Sequence, residues 1–479
     1  MNDSSQFLPP AGATVLVHGL GRFGGGREAV RFLARRGCRV RVADKSAGED
    51  LRQIQQQLQD LQEIDWRLGQ EDPALLDGAD WFVANPAVPD HHALFAAARQ
   101  RGLAITQEVD LFLAAYPGTV VAVTGTNGKS TTSTLLHAAL LRSGADALLG
   151  GNIGHSLLAD EARWRHGQIA VLEISSFQLE RLHPAAAVHG AVFTRVLKDH
   201  LDRHGTLSAY HAAKGRLAVA ARDFVVHAAD DPVACGYAST ARSRLQFADT
   251  TPAPHSAGVD HGYLATRLER GPAERLLHRD ALRLLGQFQV ENALAAALAA
   301  RALGAAPHPI ALALAQAAPL PFRLQLVAVL DGVRIYDNGV STEVASTRSA
   351  LQALNGRIHW VGGGKSKDGD YAAVANGVRP YLASAHLFGA AAEPLARALA
   401  EAVPEAANST ALQTAAVPTS IHDRAPAALA HALATARPGD AVLWSPAFAS
   451  FDQYANFRER ALEFHSWLAT HRAASAAGG

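Results

Sequence analysis

Cysteine is scarce in this chain. Cys38 and Cys235 stand alone and far apart, which excludes a disulfide framework and a cysteine-based metal centre. An excess of charge of either sign is also missing. Lys plus Arg total 44 and Asp plus Glu total 44, so no overall field recruits nucleic acid or an anionic membrane, and binding has to come from local sites. No uninterrupted apolar run reaches the roughly 18 residues of a membrane span, and the opening Met-Asn-Asp-Ser-Ser-Gln lacks the charged and apolar regions of a secretory leader. The expectation is a cytoplasmic monomer with no integral membrane contact. With 479 residues the chain is too long for one core, and two to four domains are expected.

What is present centres on residues 118 to 132. The β-branched run Val120 to Val123 breaks into a turn punctuated by Gly125 and Gly128, and Ser130-Thr131-Thr132 opens a helical pattern. Such a turn lets backbone N–H groups converge on an anionic oxygen; Lys129 adds a point charge, and the Ser130 hydroxyl can reach a phosphate-bound Mg²⁺. The stretch predicts nucleotide binding. It is not a strict Walker A motif, because Val123 stands where that motif has its first glycine. The plainer alternative is a glycine-rich turn with a surface lysine.

Before it, strand Ala13 to His18 runs into Gly19-Leu20-Gly21-Arg22-Phe23-Gly24, a helix follows, and strand Arg39 to Ala43 ends at Asp44. This is the outline of a Rossmann unit, yet no dehydrogenase-type catalytic segment follows. Residues 51 to 68 read as one amphipathic helix with Leu51, Ile54, Leu58 and Leu61 on its apolar face. After the phosphate loop, strand Ile169 to Leu172 delivers Glu173 at its carboxyl end, where an acid is well placed to hold Mg²⁺. Strand Gly190 to Phe193 leads into Asp199-His200-Leu201-Asp202-Arg203-His204 and Tyr210-His211-Ala212-Ala213-Lys214, either a metal or catalytic cluster or a solvated loop. Gly286 to Asn292 opens an alanine-rich helix, and Pro319 and Pro321 mark a boundary. Strands then alternate with helices again, ending in a helix from Tyr454 and an Ala-rich tail, expected to fray, after Arg472.

The reading is α/β in three domains: a Rossmann-like domain at 1–117, a P-loop ATPase-like central domain at 118–321 and a Rossmann-like C-terminal domain at 322–479.

Several motifs agree in order. Gly-Thr-Asn-Gly-Lys-Ser-Thr at 125–131, Gly-Gly-Asn-Ile-Gly at 150–154, Leu-Glu-Ile-Ser-Ser-Phe-Gln-Leu-Glu at 172–180, Asp-His-Leu-Asp-Arg-His at 199–204, Tyr-His-Ala-Ala-Lys at 210–214 and Ser-Pro-Ala-Phe-Ala-Ser-Phe-Asp-Gln-Tyr at 445–454 lie across all three domains. Together they resemble the Mur ligases of peptidoglycan synthesis, most closely the glutamate-adding MurD type. The resemblance implies an ATP-dependent ligase that phosphorylates the carboxylate of UDP-N-acetylmuramoyl-L-alanine and lets the amine of glutamate displace phosphate. Folylpolyglutamate synthases share the ATP domain, but residues 1–117 count against them. A non-catalytic nucleotide-binding protein is the rival of another class.

By the same resemblance, Lys129, Glu173, His200 and Lys214 would be catalytic. Gly125, Thr126, Asn127, Gly128, Lys129, Ser130, Thr131, Asn292, Arg323 and Asp337 would bind ATP. Gly21, Arg22, Phe23, Asp44, Asn152 and Ser175 would bind the UDP-sugar, and Thr342, Lys365, Ser450 and Phe457 the amino acid. Two Mg²⁺ ions would be held by Ser130, Glu173, His200 and Lys214, the last as a CO₂-derived carbamate. Domain closure is expected in the cycle.

Departures from the family pattern gather in the third domain and around the nucleotide. Asp337-Asn338-Gly339-Val340-Ser341-Thr342-Glu343 lacks the family's lysine, and Lys365 or Lys367 is left as the group that grips the glutamate carboxylate. Gly286 to Asn292 differs from the family's Gly-x-His-Asn-x-x-Asn, and Arg195 and Lys198 stand where other residues are commoner. The sequence resembles the divergent branch that adds L-glutamate rather than D-glutamate, although spacing cannot fix the enantiomer.

Overall fold

Short β-branched runs alternating with helical patterns fold into three sheets. The computed structural model describes residues 7–21, 24–61, 64–269, 271–366, 369–402 and 416–477. The first sheet is wholly parallel in the order β3-β2-β1-β4-β5, with β1 Thr14–His18, β2 Arg39–Asp44, β3 Asp65–Leu68, β4 Trp81–Ala84 and β5 Ala104–Thr106.

The single helix expected over 51 to 68 is instead a helix Glu49–Gln57 followed by β3. Its apolar face is as expected, since Leu51 and Leu58 are buried. The backbone N–H of Leu58 closes the helix, and Asp65–Leu68 then pairs with Arg41–Asp44, helped by Arg41 Nε donating to Asp65 at 2.8 Å. Edge-strand pairing overrides the continued helical period there.

The second sheet has nine strands in the order β14-β13-β12-β11-β10-β9-β6-β8-β7. They are β6 Thr119–Thr124, β7 Ala147–Gly151, β8 Ile169–Glu173, β9 Val188–Phe193, β10 Ala221–Ala228, β11 Ser243–Phe247, β12 Ser256–Asp260, β13 Tyr263–Arg267 and β14 Glu274–His278. Strands β6 to β12 run parallel, and β13 and β14 extend the edge antiparallel. That extension is absent from the sequence reading; its strands have no clear period-2 pattern of apolar residues. One core joins the first two sheets, and Trp164 packs edge-on to Phe112 and Tyr116 at ring separations of 5.7 and 5.6 Å.

The third sheet runs β15-β16-β20-β17-β18-β19, with β15 Gln325–Leu330, β16 Val333–Asp337, β17 Ile358–Gly363, β18 Leu382–Phe388, β19 Thr419–His422 and β20 Ala441–Ala447. Only β15 is antiparallel to its neighbour. The final helix begins at Phe457 rather than Tyr454, because Asn456 Oδ1 accepts the N–H groups of Arg458 and Glu459 at 2.9 and 3.0 Å and caps it. It runs to Ala477, so the tail expected to fray after Arg472 stays helical, as its alanines favour.

The chain divides into two compact units, residues 1–282 with 290–316, and residues 283–289 with 317–479. Both cysteines are free, and no helix among the described residues is long and apolar enough to cross a membrane.

Candidate active site

β6 ends at the buried Thr124, and the chain turns through Gly125 (φ 149°) and Gly128 (φ 87°) into the helix Lys129–Arg142. Both glycines are required by closeness as well as by φ. A Cβ on Gly125 would stand 1.8 Å from Thr194 Oγ1, and one on Gly128 would stand 2.2 Å from Asn292 Oδ1. Thr126 N–H donates to Arg195 O at 2.7 Å, and its hydroxyl lies 2.8 Å from that of Tyr210. The loop is thus fixed by residues that follow β9, by Tyr210 and by Asn292.

Two lysines converge on one oxygen of this loop. Gly125 O accepts from Lys129 Nζ at 3.1 Å and from Lys214 Nζ at 2.7 Å. Lys214 comes from the helix Leu207–Ala220, one turn after Tyr210, and its Nζ lies 4.9 Å from the Tyr210 ring. It is 1% exposed, and burial, with the Lys129 charge next, holds its ammonium well below the usual lysine range. Its burial beside this loop excludes a surface role, and the lowered basicity favours the neutral form of the amine, the form that reacts with CO₂.

Glu173 ends β8, which lies beside β6 with Val123 paired to Glu173. Its carboxylate is 1% exposed; Oε1 accepts from Asn152 Nδ2 at 2.9 Å, while Oε2 is buried with no hydrogen-bond partner. A buried carboxylate oxygen without a donor fits a cation ligand. Ser175 caps the short helix Ser176–Glu180 and exchanges bonds with Gln178. His200 takes a left-handed conformation (φ 50°), with Nε2 3.2 Å from Asp199 and its ring edge-on to Phe177 at 4.9 Å. Ser130 and Thr131 are buried in the first turn of the helix after the loop.

In the first domain the glycine turn is braced by Asp44, whose two oxygens accept the N–H groups of Leu20 and Ser46, each at 3.0 Å. Gly21 (φ 66°) lies against Asn85, leaving no room for a Cβ, which would stand 2.6 Å from Nδ2. Arg22 and Phe23 lie outside the described residues. Two arginines, Arg181, which the sequence does not single out, and Arg203 of the cluster 199–204, join this region to the central domain. Arg181 donates to the carbonyls of Pro86 and Val88 at 2.8 and 2.7 Å, and Arg203 to the same two at 3.2 and 3.1 Å while also gripping Glu180 at 2.8 Å. The acceptors on the first domain are backbone atoms, so no pairing of residue types announces the link across to Pro86 and Val88.

The second unit holds the remaining candidates. Asp337 ends β16 fully buried, with Oδ1 accepting Gly339 N–H and Oδ2 meeting His465 Nε2, both at 2.7 Å. Asn338, Ser445, Thr347 and Ser341 form a chain of hydrogen bonds of 3.0, 2.8 and 2.9 Å, which leads to the loop carrying Thr342. Arg323 sits between two left-handed residues, Phe322 (φ 64°) and Leu324 (φ 47°). Lys365 exchanges backbone bonds with Ala449 at 2.8 and 3.1 Å, next to the buried Ser450, whereas Lys367 lies outside the described residues. Phe457 opens the last helix. One turn on, Arg460 is buried, donates to Phe448 O at 3.0 Å and keeps Nε and Nη2 without partners; burial pushes it down to about 10.

Family models match along the chain: a Mur ligase MurD-like N-terminal domain at 13–107, a Mur ligase middle domain at 123–300 and a Mur ligase glutamate ligase domain at 322–448. The UDP-N-acetylmuramoylalanine–D-glutamate ligase of Acidobacterium capsulatum is 35% identical over 472 residues, 97% of this chain and 98% of the relative. That of Solibacter usitatus is 33% identical over 455 residues, 95% and 97% of the two chains. Among solved structures, the UDP-N-acetylmuramate-alanine ligase MurC of Thermotoga maritima superposes with a TM-score of 0.59 at 15% identity, covering 96% of this chain and 99% of its own. MurF from Acinetobacter baumannii gives 0.56 at 18% identity, covering 97% and 93%. The likeness to those two structures is one of fold. With the full-length relatives and the three domain matches in chain order, the chain belongs to the Mur ligase family.

Proposed function

We propose that this chain uses ATP to join glutamate, L-glutamate by preference, to UDP-N-acetylmuramoyl-L-alanine, releasing ADP and phosphate. The observation that carries the ligase reading is the convergence of Lys129 and Lys214 on Gly125 O, in a loop whose neighbouring strand ends in the donorless oxygen of Glu173.

A substrate carboxylate has to approach the γ-phosphoryl group of ATP, and the two anions repel. Residues 125–131 wrap the phosphates with backbone N–H groups, and Lys129 exchanges its loop carbonyls for phosphate oxygens. Ser130, Glu173, His200 and Lys214 as a carbamate would hold two Mg²⁺ ions. Bound magnesium offsets the charge of the phosphates and the carboxylate. Low basicity prepares Lys214 for CO₂, since only its neutral amine forms a carbamate. The carboxylate oxygen attacks phosphorus, the bond to the β–γ bridging oxygen breaks, and ADP leaves. The glutamate amine then attacks the acyl carbon, gives up a proton, and phosphate departs as the amide forms. Asn152, Ser175, Gly21 and Asp44 serve the sugar nucleotide, Asp44 by bracing the turn. Asn292, Arg323 and Asp337 serve ATP, with Asp337 acting through the loop it orders.

The preference for L-glutamate rests on the rearranged stretch Asp337–Glu343 and its hydroxyl chain, since handedness is read by where the amine points relative to two fixed carboxylates. Thr342, Lys365, Ser450 and Phe457 would line that pocket. D-glutamate is the second reading, favoured by the 33% and 35% identity to relatives named for it. Incubation with UDP-N-acetylmuramoyl-L-alanine, ATP, Mg²⁺ and each enantiomer separately tests both. Product with L-glutamate is expected; product with D-glutamate alone overturns the preference, and no substrate-dependent ADP overturns the ligase.

A further inference from the structure

Far along the chain from the phosphate loop, three histidines meet on one face of the third sheet. His386 lies on β18, His422 on the edge strand β19, and His431 on the helix Ala425–Thr435. Strand register sets His386 beside Ser420 and Phe388 beside His422, so Ser420 and His422, two apart, share the face that His386 uses. The helix brings His431 down on them. Ligand atoms of the three rings all lie within 4.8 Å of one another, and Nδ1 of His386 stands 3.1 Å from Nδ1 of His431. Two nitrogens each roughly 2.0–2.1 Å from a tetrahedral ion are about 3.3 Å apart, close to that spacing.

A second feature points the same way. The other nitrogen of His386, Nε2, is tied to Ser384 Oγ at 2.7 Å; that hydroxyl meets His359 Nδ1 at 2.8 Å, and His359 Nε2 meets Asp440 at 3.0 Å. A carboxylate relayed to the far side of an imidazole fixes ring orientation and tautomer, the support that metal-bound histidines commonly have. His386 is 2% exposed, whereas His431 faces solvent, so the group is built from the inside and open outside. Ser420 Oγ lies 3.0 Å from His386 Nδ1 and 2.8 Å from His422 Nε2, adding an oxygen at the same place.

We propose that His386, His422 and His431 form a binding site for a borderline divalent transition ion of the zinc class, which staples the edge strand β19 and the helix Ala425–Thr435 to the sheet. Three neutral nitrogens suit Zn²⁺, Co²⁺ or Ni²⁺ and not Mg²⁺, which demands oxygen. None of the three histidines is among the residues assigned above to the ligase.

The full chain, free of any affinity tag and stripped with chelator, would be titrated with Co²⁺, followed by visible d–d absorption, and with Zn²⁺, followed by calorimetry and thermal unfolding. One ion per chain is expected, with a higher unfolding temperature. His431→Ala, on the exposed side, and His422→Gln should each weaken binding about tenfold or more and abolish the thermal shift, while Mg²⁺-dependent ligation by His431→Ala stays unchanged. Half-saturation only at millimolar zinc, or tight binding that survives both substitutions, overturns the site. Loss of the ion in His92→Ala instead would assign it to His18, Glu71 and His92, and would overturn it equally.

Discussion

Arg195 and Glu291 form a two-pronged ion pair, Nε to Oε2 at 2.8 Å and Nη2 to Oε1 at 2.6 Å, and Arg195 also reaches Asp230 at 2.7 Å. Arg195 stands where this chain leaves the family pattern, and Glu291 lies in the stretch Gly286 to Asn292, at a position that the pattern leaves open. Because Arg195 O also accepts from Thr126 N–H, the pair ties the glycine loop at 125–128 to the helix Gln287–Ala302. Arg195→Ala and Glu291→Ala, measured singly and together, should show a coupling of about 1–2 kcal/mol in urea unfolding, with KM for ATP raised in both. Additive effects would mean the pair is idle.

On the proposed carbamate role, Lys214→Ala is expected to lose at least a hundredfold in kcat, with an oxygen ligand rather than a positive charge as what is missing. Short carboxylic acids should restore part of the rate, and Lys214→Arg should stay inactive. Rescue by alkylamines in place of carboxylic acids would reverse the assignment.

Glu108 and Asp110 lie on the helix Glu108–Ala115, where the first domain meets the central one; Glu108 accepts from Ser156 Oγ and Asp110 from His183 N–H at 3.1 Å. Burial pushes each up to about 7. The folded state therefore keeps protons that the unfolded chain releases near its ordinary carboxyl range. Their stabilisation is complete below that range and is lost as pH rises to about 7, at up to about 1.4 kcal/mol per pH unit per group. Denaturant titrations of Asp110→Asn across this window should show a flatter slope than the parent; an unchanged slope would assign the dependence elsewhere.

Arg181→Ala should destabilise the first compact unit by about 2 kcal/mol, because it leaves the Pro86 and Val88 carbonyls without one donor each and removes a cation held 4.7 Å from the Phe95 ring. KM for the UDP-sugar should rise more than KM for ATP. Equal changes in both would argue for a general loss of structure.

The parallel strands and the glycine loop were legible in the sequence because β-branched runs and Gly-Lys-Ser act locally. Glu173 was legible for a similar reason, as an acid at the end of an apolar run. Harder to read were β13 and β14, whose mixed side chains lie on a partly exposed edge, and β3, hidden behind a helical pattern that breaks off at Leu58. The pairing of Arg195 with Glu291, residues 96 apart, needs the strand order to be known first. The same holds for His386 and His431, 45 apart, which only strand register and a packed helix bring together.

At Pro86 and Val88 the acceptors for Arg181 and Arg203 are main-chain oxygens. On the side of the first domain, the joint between the segment after β4 and the two arginines is therefore written in the path of the backbone. At Ala87 the joint asks only for a backbone that keeps this path, whereas Val88 also packs its side chain against the core of the first sheet.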